Sequence, residues 1–444
     1  MQPGHSARQS LPGADDTTRA VLPNGITIIA RENFLSSSVV INGVLPVGSA
    51  YEPAAQGGLS SMVAASLMRG TASRDFDAIH ETLESLGATL GVGSGTLHTS
   101  FGGKALVEDL PVILSLLSDA LREPTFPTDQ VERLRGETLT GLRMRAKDAR
   151  SVANDEFRRL CYPSSHPFSR NTSGEVETVS ALSIADMAAY HKARYIPAGM
   201  VIVIVGAIER QAAIDQVAAV FENWASPADA QPHNALQLSA PPLTTIAERR
   251  TVLAGKSQSE LVLGWPGPAR SAADYQAALI ANNIFGVFGM MGRLGKSVRE
   301  DQGLAYSCGS RFSGGIGPGP WTVNAGVNPA NVEQALVSIR REIRRMTDEL
   351  VSPEEIEDVK ANFIGRLPLG LETNEGVAST LLNIELHGLG MDYLRQYAAL
   401  IRAVSRDQVQ HAAQHYLSAD RYALAISGPA LPSNQLTGAL QAAG

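Results

Sequence analysis

Cysteine is nearly absent from this chain: Cys161 and Cys308, far apart, are the only two in 444 residues. That excludes a disulfide scaffold and any cysteine-rich zinc module, and it fits a reducing compartment or a fold that needs no covalent staples. Long apolar runs are also missing. No 18 consecutive apolar residues occur, so no transmembrane helix is expected, and the short run from Val201 to Val205 reads as a buried strand. A surplus of basic residues is lacking too: the net charge is −7, which argues against a nucleic-acid partner. Residues 1–16 hold no apolar signal core and read as a flexible polar leader, which leaves the cytoplasm as the default location. Asn171-Thr172-Ser173 is then a silent sequon.

The familiar catalytic motifs are equally scarce. There is no G-x-S-x-G elbow, no P-loop and no H-E-x-x-H helix. His80-Glu81-Thr82-Leu83-Glu84 lacks the second histidine and reads as a solvated helix face. Gly91-Val92-Gly93-Ser94-Gly95 has no helix opening after it and reads as part of a hairpin. His411 and His415 are four apart on a predicted helix, but with no third ligand near in sequence they read as a surface pair.

What is present is ordinary globular composition, 44% hydrophobic and 18% charged, over a length suited to about two or three domains. A weak repeat recurs at an offset of 222 residues. Residues 183–206 and 405–428 each read as a turn, an amphipathic helix and a strand closed by glycine, Gly206 or Gly428. Helical patterns at 58–70 and 280–292 follow the same offset. The expected division is a leader (1–16), a first domain (17–225), a Pro-rich linker (226–244), a homologous second domain (245–432) and a tail (433–444). Strands are expected at 25–31 and 39–45, a hairpin over 89–106, and helices at 76–86, 110–122 and 129–147. The first of these helices begins at the cap Asp75, and another starts at Ser352-Pro353. Strands and helices do not alternate one for one. The expected class is therefore α+β: two α/β-roll-like domains, each an antiparallel or mixed sheet with helices packed on it.

Two stretches carry chemical information. The first is Gly57-Gly58-Leu59-Ser60-Ser61-Met62-Val63-Ala64-Ala65-Ser66-Leu67-Met68-Arg69-Gly70-Thr71. It resembles the H-x-x-E-H helix of the insulinase/pitrilysin-type zinc peptidases, the inverzincins, with both ends of the motif kept. By that resemblance Ser61 and Ala65 stand at the two zinc histidines and Ala64 at the general-base glutamate. The third ligand, a glutamate on a later helix, falls on Thr140, or on Gly141 with a one-residue slip. Zinc catalysis needs about three nitrogen or oxygen donors. Alanine offers none and a neutral serine hydroxyl is a poor one, so small residues suited to close packing replace the chemistry.

The second stretch is Gly292-Arg293-Leu294-Gly295-Lys296-Ser297-Val298-Arg299-Glu300-Asp301-Gln302-Gly303-Leu304-Ala305-Tyr306-Ser307. It is similar to the C-terminal-domain signature of the same family, whose Arg and Tyr correspond to Arg299 and Tyr306. From the residues alone, Arg299 could equally pair with Glu300 or Asp301 and Tyr306 could be buried on a strand. The resemblance implies instead that the pair faces a zinc site across a central chamber and contacts substrate backbone near the scissile carbonyl. Weaker likenesses run along some 400 residues: Leu22-Pro23-Asn24-Gly25, residues 45–53, Phe126-Pro127-Thr128, His166-Pro167-Phe168 and Tyr195-Ile196-Pro197-Ala198-Gly199-Met200.

The resemblance implies a non-catalytic subunit of a heterodimeric zinc peptidase acting on peptides. This chain would carry no cofactor. Zinc, base and nucleophilic water would belong to a homologous partner, and Arg299 and Tyr306 would bind substrate. A structural or interaction protein, or a peptide-binding homodimer of the same fold, are the alternatives, and a stand-alone peptidase ranks lowest.

Overall fold

A computed structural model describes residues 11–226, 236 and 238–430. Most of the leader, part of the linker and all of the tail expected from the sequence lie outside the described residues.

Strands β1 (Thr18–Val21), β2 (Thr27–Glu32), β3 (Ser38–Leu45), β4 (Thr89–Ser94), β5 (Thr99–Leu106) and β6 (Val201–Gly206) form one mixed sheet in the order β1-β2-β6-β3-β5-β4. Strands β7 (Ala247–Val252), β8 (Ser259–Pro266), β9 (Ala305–Phe312), β10 (Pro320–Val327) and β11 (Ala423–Gly428) form a second, in the order β7-β11-β8-β10-β9. Without β1 the two orders are the same. In each sheet one pair is parallel, β2 with β6 and β7 with β11, and the other pairs are antiparallel. The class is the expected one: two homologous mixed sheets with helices packed on them.

The repeat seen in the sequence is carried by local chemistry. Ser183 and Ser405 open the helices Ile184–Arg194 and Arg406–Tyr416 with the same capping box. Each serine hydroxyl accepts from the backbone N–H three residues on, and the Asp186 or Gln408 side chain accepts from the serine N–H in return. Strands β6 and β11 follow, and each ends on a glycine wedged against a neighbour. A Cβ at Gly206 would lie 2.4 Å from the Ser38 carbonyl oxygen, and one at Gly428 would lie 2.7 Å from that of Gln258. The same backbone approach thus selects the same residue twice.

All six residues of β6 and all six of β11 are buried, so both faces of each sheet need a cover. The compact units are not continuous in sequence. Residues Thr140–Asn171 belong with the second sheet and Ile364–Ala399 with the first. On the first sheet, Val377, Ala378, Leu381 and Leu382 of the helix Asn374–Leu386 pack on Val40 and Val44 of β3 and on Val201, Val203 and Val205 of β6. Polar contacts fix that helix at its margins: Asn42 donates to Ser379 at 3.0 Å, and Lys104 pairs with Glu375 at 2.7 Å. On the second sheet, Ala153, Phe157 and Cys161 of the helix Ala149–Cys161 pack on Val262 of β8 and on Ala423 and Ala425 of β11. The division expected from the sequence repeat, 17–225 and 245–432, and the compact units are therefore two different divisions of one chain.

Leu381→Ala should destabilise the first sheet by about 2–5 kcal/mol, as expected for a fully buried leucine. In native-state hydrogen exchange, protection should fall in β3 and β6 and persist in β8 and β11. Phe157→Ala should show the opposite pattern, and equal loss in both sheets would contradict the exchange of cover.

Candidate functional site

The motif helix is Leu59–Ser66, continued by the 3-10 turn Leu67–Arg69. Its start is held by a buried carboxylate. Glu52, 5% exposed, accepts from the backbone N–H groups of Gly58 at 3.1 Å and Ser60 at 3.0 Å. A negative charge at the positive end of a helix satisfies orphan N–H groups and the helix dipole together. Gly58 stands before the helix at φ +92°, a left-handed conformation in which a Cβ would also meet the Ser173 carbonyl oxygen at 2.7 Å. At the other end Arg69 pairs with Glu137 at 3.0 Å, and Glu137 also receives Arg133 at 3.2 Å. These contacts explain why both ends of the motif read so plainly in the sequence. They hold the helix in place whether or not it carries catalytic groups.

The residues between those ends do not fit zinc. The Ser61 hydroxyl donates to the Thr172 carbonyl oxygen at 2.8 Å. Ala64 is buried and Ala65 exposed, and neither side chain has a donor atom. Thr140 and Gly141 are exposed on the helix Thr128–Arg145. Among the described residues no three His, Cys, Asp or Glu side chains come together as a metal site. His411 is exposed and His415 bonds to Asp274 at 3.1 Å, in keeping with a surface pair.

Arg299 and Tyr306 both occupy irregular backbone. The helix Tyr275–Gly286 is followed by a second, Phe288–Leu294, and then by the π-helical turn Gly295–Glu300, which ends with the Asp301 N–H on the Lys296 carbonyl oxygen at 2.9 Å. Such wide turns are rare and recur at functional sites. This one is locked from three sides. Gln302 donates to the Ser297 carbonyl oxygen at 2.7 Å, Arg341 donates to the Ser297 hydroxyl at 2.9 Å, and Ser338 donates to the Gln302 side-chain oxygen at 3.0 Å. Arg299 is half-buried, and among the described residues no carboxylate lies within ion-pair distance of it. Asp301 pairs with Lys296 instead, at 3.5 Å.

Tyr306 lies on the edge strand β9. Ser307 pairs with Gly326 of β10 and Ala305 with Val327, so Tyr306 is the extra residue of a β-bulge. By simple alternation it would share the buried face of Cys308 and Ser310. The bulge shifts the phase, so that Ala305 is buried and Tyr306 is 83% exposed. The tyrosine is therefore not a core residue, and the arginine is not spent on a neighbouring acid. Gln302, Ser338 and Arg341 escaped the sequence reading. Gln302 stands inside the signature, but Ser338 and Arg341 are 36 and 44 residues from their partners and leave no local pattern.

The pattern of the insulinase peptidase family, M16, matches residues 28–159, and that of the M16 inactive domain matches residues 181–363. The chain belongs to the insulinase family. Among family relatives, an uncharacterized zinc protease of Streptomyces coelicolor is 27% identical over 426 residues, spanning 94% of this chain and 90% of the relative. Subunit 1 of the mitochondrial cytochrome b-c1 complex of Rattus norvegicus is 25% identical over 278 residues, 63% of this chain and 57% of the subunit. The peptidase M16 inactive domain from Pseudomonas fluorescens shares the fold, with a TM-score of 0.86 at 23% identity over 94% of this chain and 98% of that one. Ser61, Ala64 and Ala65 lie within the residues matched by the insulinase-family pattern, at the positions that the sequence resemblance assigns to the zinc helix. No helix among the described residues is long and apolar enough to cross a membrane.

The purified chain is expected to take up far less than one equivalent of zinc in elemental analysis. Ser61→His with Ala65→His, two imidazoles one helical turn apart, should raise uptake without giving hydrolysis, because Ala64 supplies no base. Stoichiometric zinc on the unmodified chain would contradict this reading of the helix.

Proposed function

We propose that this chain is the non-catalytic subunit of a heterodimeric zinc peptidase acting on peptides. Its partner would be a homologous subunit with an intact H-x-x-E-H helix that carries the zinc, the base and the nucleophilic water. The observation that carries the proposal is a contrast within one chain. The metal-helix positions are Ser61, Ala64 and Ala65, whereas Arg299 and Tyr306 are kept free of ion-pair and core roles on a locked π-turn and a bulge. A guanidinium and a phenol are donors suited to the oxyanion that develops on a scissile carbonyl, and one such donor is typically worth about 3 kcal/mol in the transition state. Holding them on rigid backbone lets them act without reorganisation at the moment of reaction. Gln302 and Arg341 are positioning residues in this scheme, since they reach the reaction only through the turn that carries Arg299.

A second reading has its own support. The resemblance to subunit 1 of the cytochrome b-c1 complex favours a structural member of a larger assembly that cleaves nothing. The two are separated by kinetics. In the reconstituted complex, Arg299→Ala should lower kcat/KM by about ten-fold or more. Tyr306→Phe should lower it by a smaller factor, with subunit association unchanged in both. Unaltered turnover in both variants would remove the proposed role and leave the structural reading.

A further inference from the structure

The helix Ala149–Cys161 covers the second sheet over β8 and β11 but leaves β9 and β10 open on the same face, where a cavity of about 430 Å³ remains. Cavities of about 300–1,000 Å³ are the size that takes small ligands or single side chains. Pairing brings its residues together across the ladder: Thr322 lies opposite Arg311, Asn324 opposite Gly309, and Gly326 opposite Ser307. Two of those six positions are glycines, and the Gln258 amide fills the space beside Gly326. The polar groups differ in how far they are already committed. Glu260 receives Arg150 at 3.2 Å and the Gln258 amide at 2.9 Å. Asn324 donates to the Thr322 hydroxyl at 3.0 Å, which leaves the hydroxyl proton free to point elsewhere. Arg311 lines the cavity, is exposed, and among the described residues has no carboxylate within ion-pair distance.

Two guanidinium groups against one carboxylate leave the cavity with an uncompensated positive charge at Arg311. Ser307 and Arg311 lie on the same strand as Tyr306, one and five residues beyond it. We infer that this cavity is a specificity site for a carboxylate of the bound peptide, held by the Arg311 guanidinium with help from the hydroxyl of Thr322, which lies opposite it on β10. The inference rests on the reading of this chain as a peptide-binding subunit. A planar guanidinium fork matches a carboxylate in two parallel hydrogen bonds, which a lysine or a neutral donor does not reproduce. The carboxylate could be an internal Asp or Glu side chain or the peptide's own C-terminus, and the chemistry of recognition is the same.

The test is fluorescence anisotropy of the full chain with labelled ten-residue peptides: one with a single Glu and a free C-terminus, one with that Glu replaced by Gln, and one with an amidated C-terminus. One of the two neutralised peptides should bind about ten-fold more weakly, and which one it is identifies the source of the carboxylate. Arg311→Ala should abolish the difference, Arg311→Lys should restore it only in part, and Arg311→Glu should reverse it. Equal binding of the three peptides by the unmodified chain, or a difference that survives Arg311→Ala, overturns the assignment. Discrimination that persists in a chain whose Arg299→Ala variant leaves turnover of the complex intact would keep this site and remove the composite peptidase. Loss of turnover without discrimination would do the reverse.

Discussion

The whole molecule depends on covering two sheets on both faces. Strands β6 and β11 sit inside their sheets and are buried at every position, so each sheet has two apolar sides to remove from water. Helices near in sequence to each sheet, such as Arg210–Phe221 along β2, supply part of that cover. The rest is exchanged: the helix Ala149–Cys161 serves the second sheet and the helix Asn374–Leu386 the first. Valines on the first sheet meet Leu381 and Leu382. On the second, the small Ala423 and Ala425 admit the large Phe157, so each interface fills its space with a different split of volume.

That arrangement determines where function can sit. The exchanged helix stops short of β9 and β10, and the open end of the second sheet holds both a polar cavity and the bulged edge strand with Tyr306. Regular backbone would have buried Tyr306 beside Cys308 and Ser310. The bulge presents it, and on the π-turn no carboxylate among the described residues lies within ion-pair distance of Arg299. Each irregularity is supported by hydrogen bonds or packing nearby, which is what keeps a departure from regular geometry in place.

The motif helix is held by contacts that need no catalytic group. Glu52 at its start and the Arg69–Glu137 pair near its end are structural contacts, and Leu59, Met62, Val63 and Leu67 bury its inner face. None of these needs a metal. Ser61, the residue that the sequence resemblance sets at a zinc-histidine position, donates a hydrogen bond to the Thr172 carbonyl.

The sequence by itself determined the class, the repeat and most element positions, because caps, closing glycines and hydrophobic period are local signals. Ser183 and Ser405, Asp75 before its helix, and Gly206 and Gly428 at the ends of their strands are all readable within a few residues. It also determined the character of the motif helix, since Ala64 and Ala65 offer no ligand atom and Ser61 only a poor one wherever they lie. Tertiary structure alone decided three things. The exchange of cover was not readable, because an amphipathic helix shows that it has an apolar face and not which sheet will receive it. The exposure of Tyr306 depended on a one-residue mismatch between β9 and β10, which exists only when the strands pair. The cavity at Arg311 required β9, β10 and a helix more than 140 residues earlier in the chain, and no short pattern records a charge left without a partner.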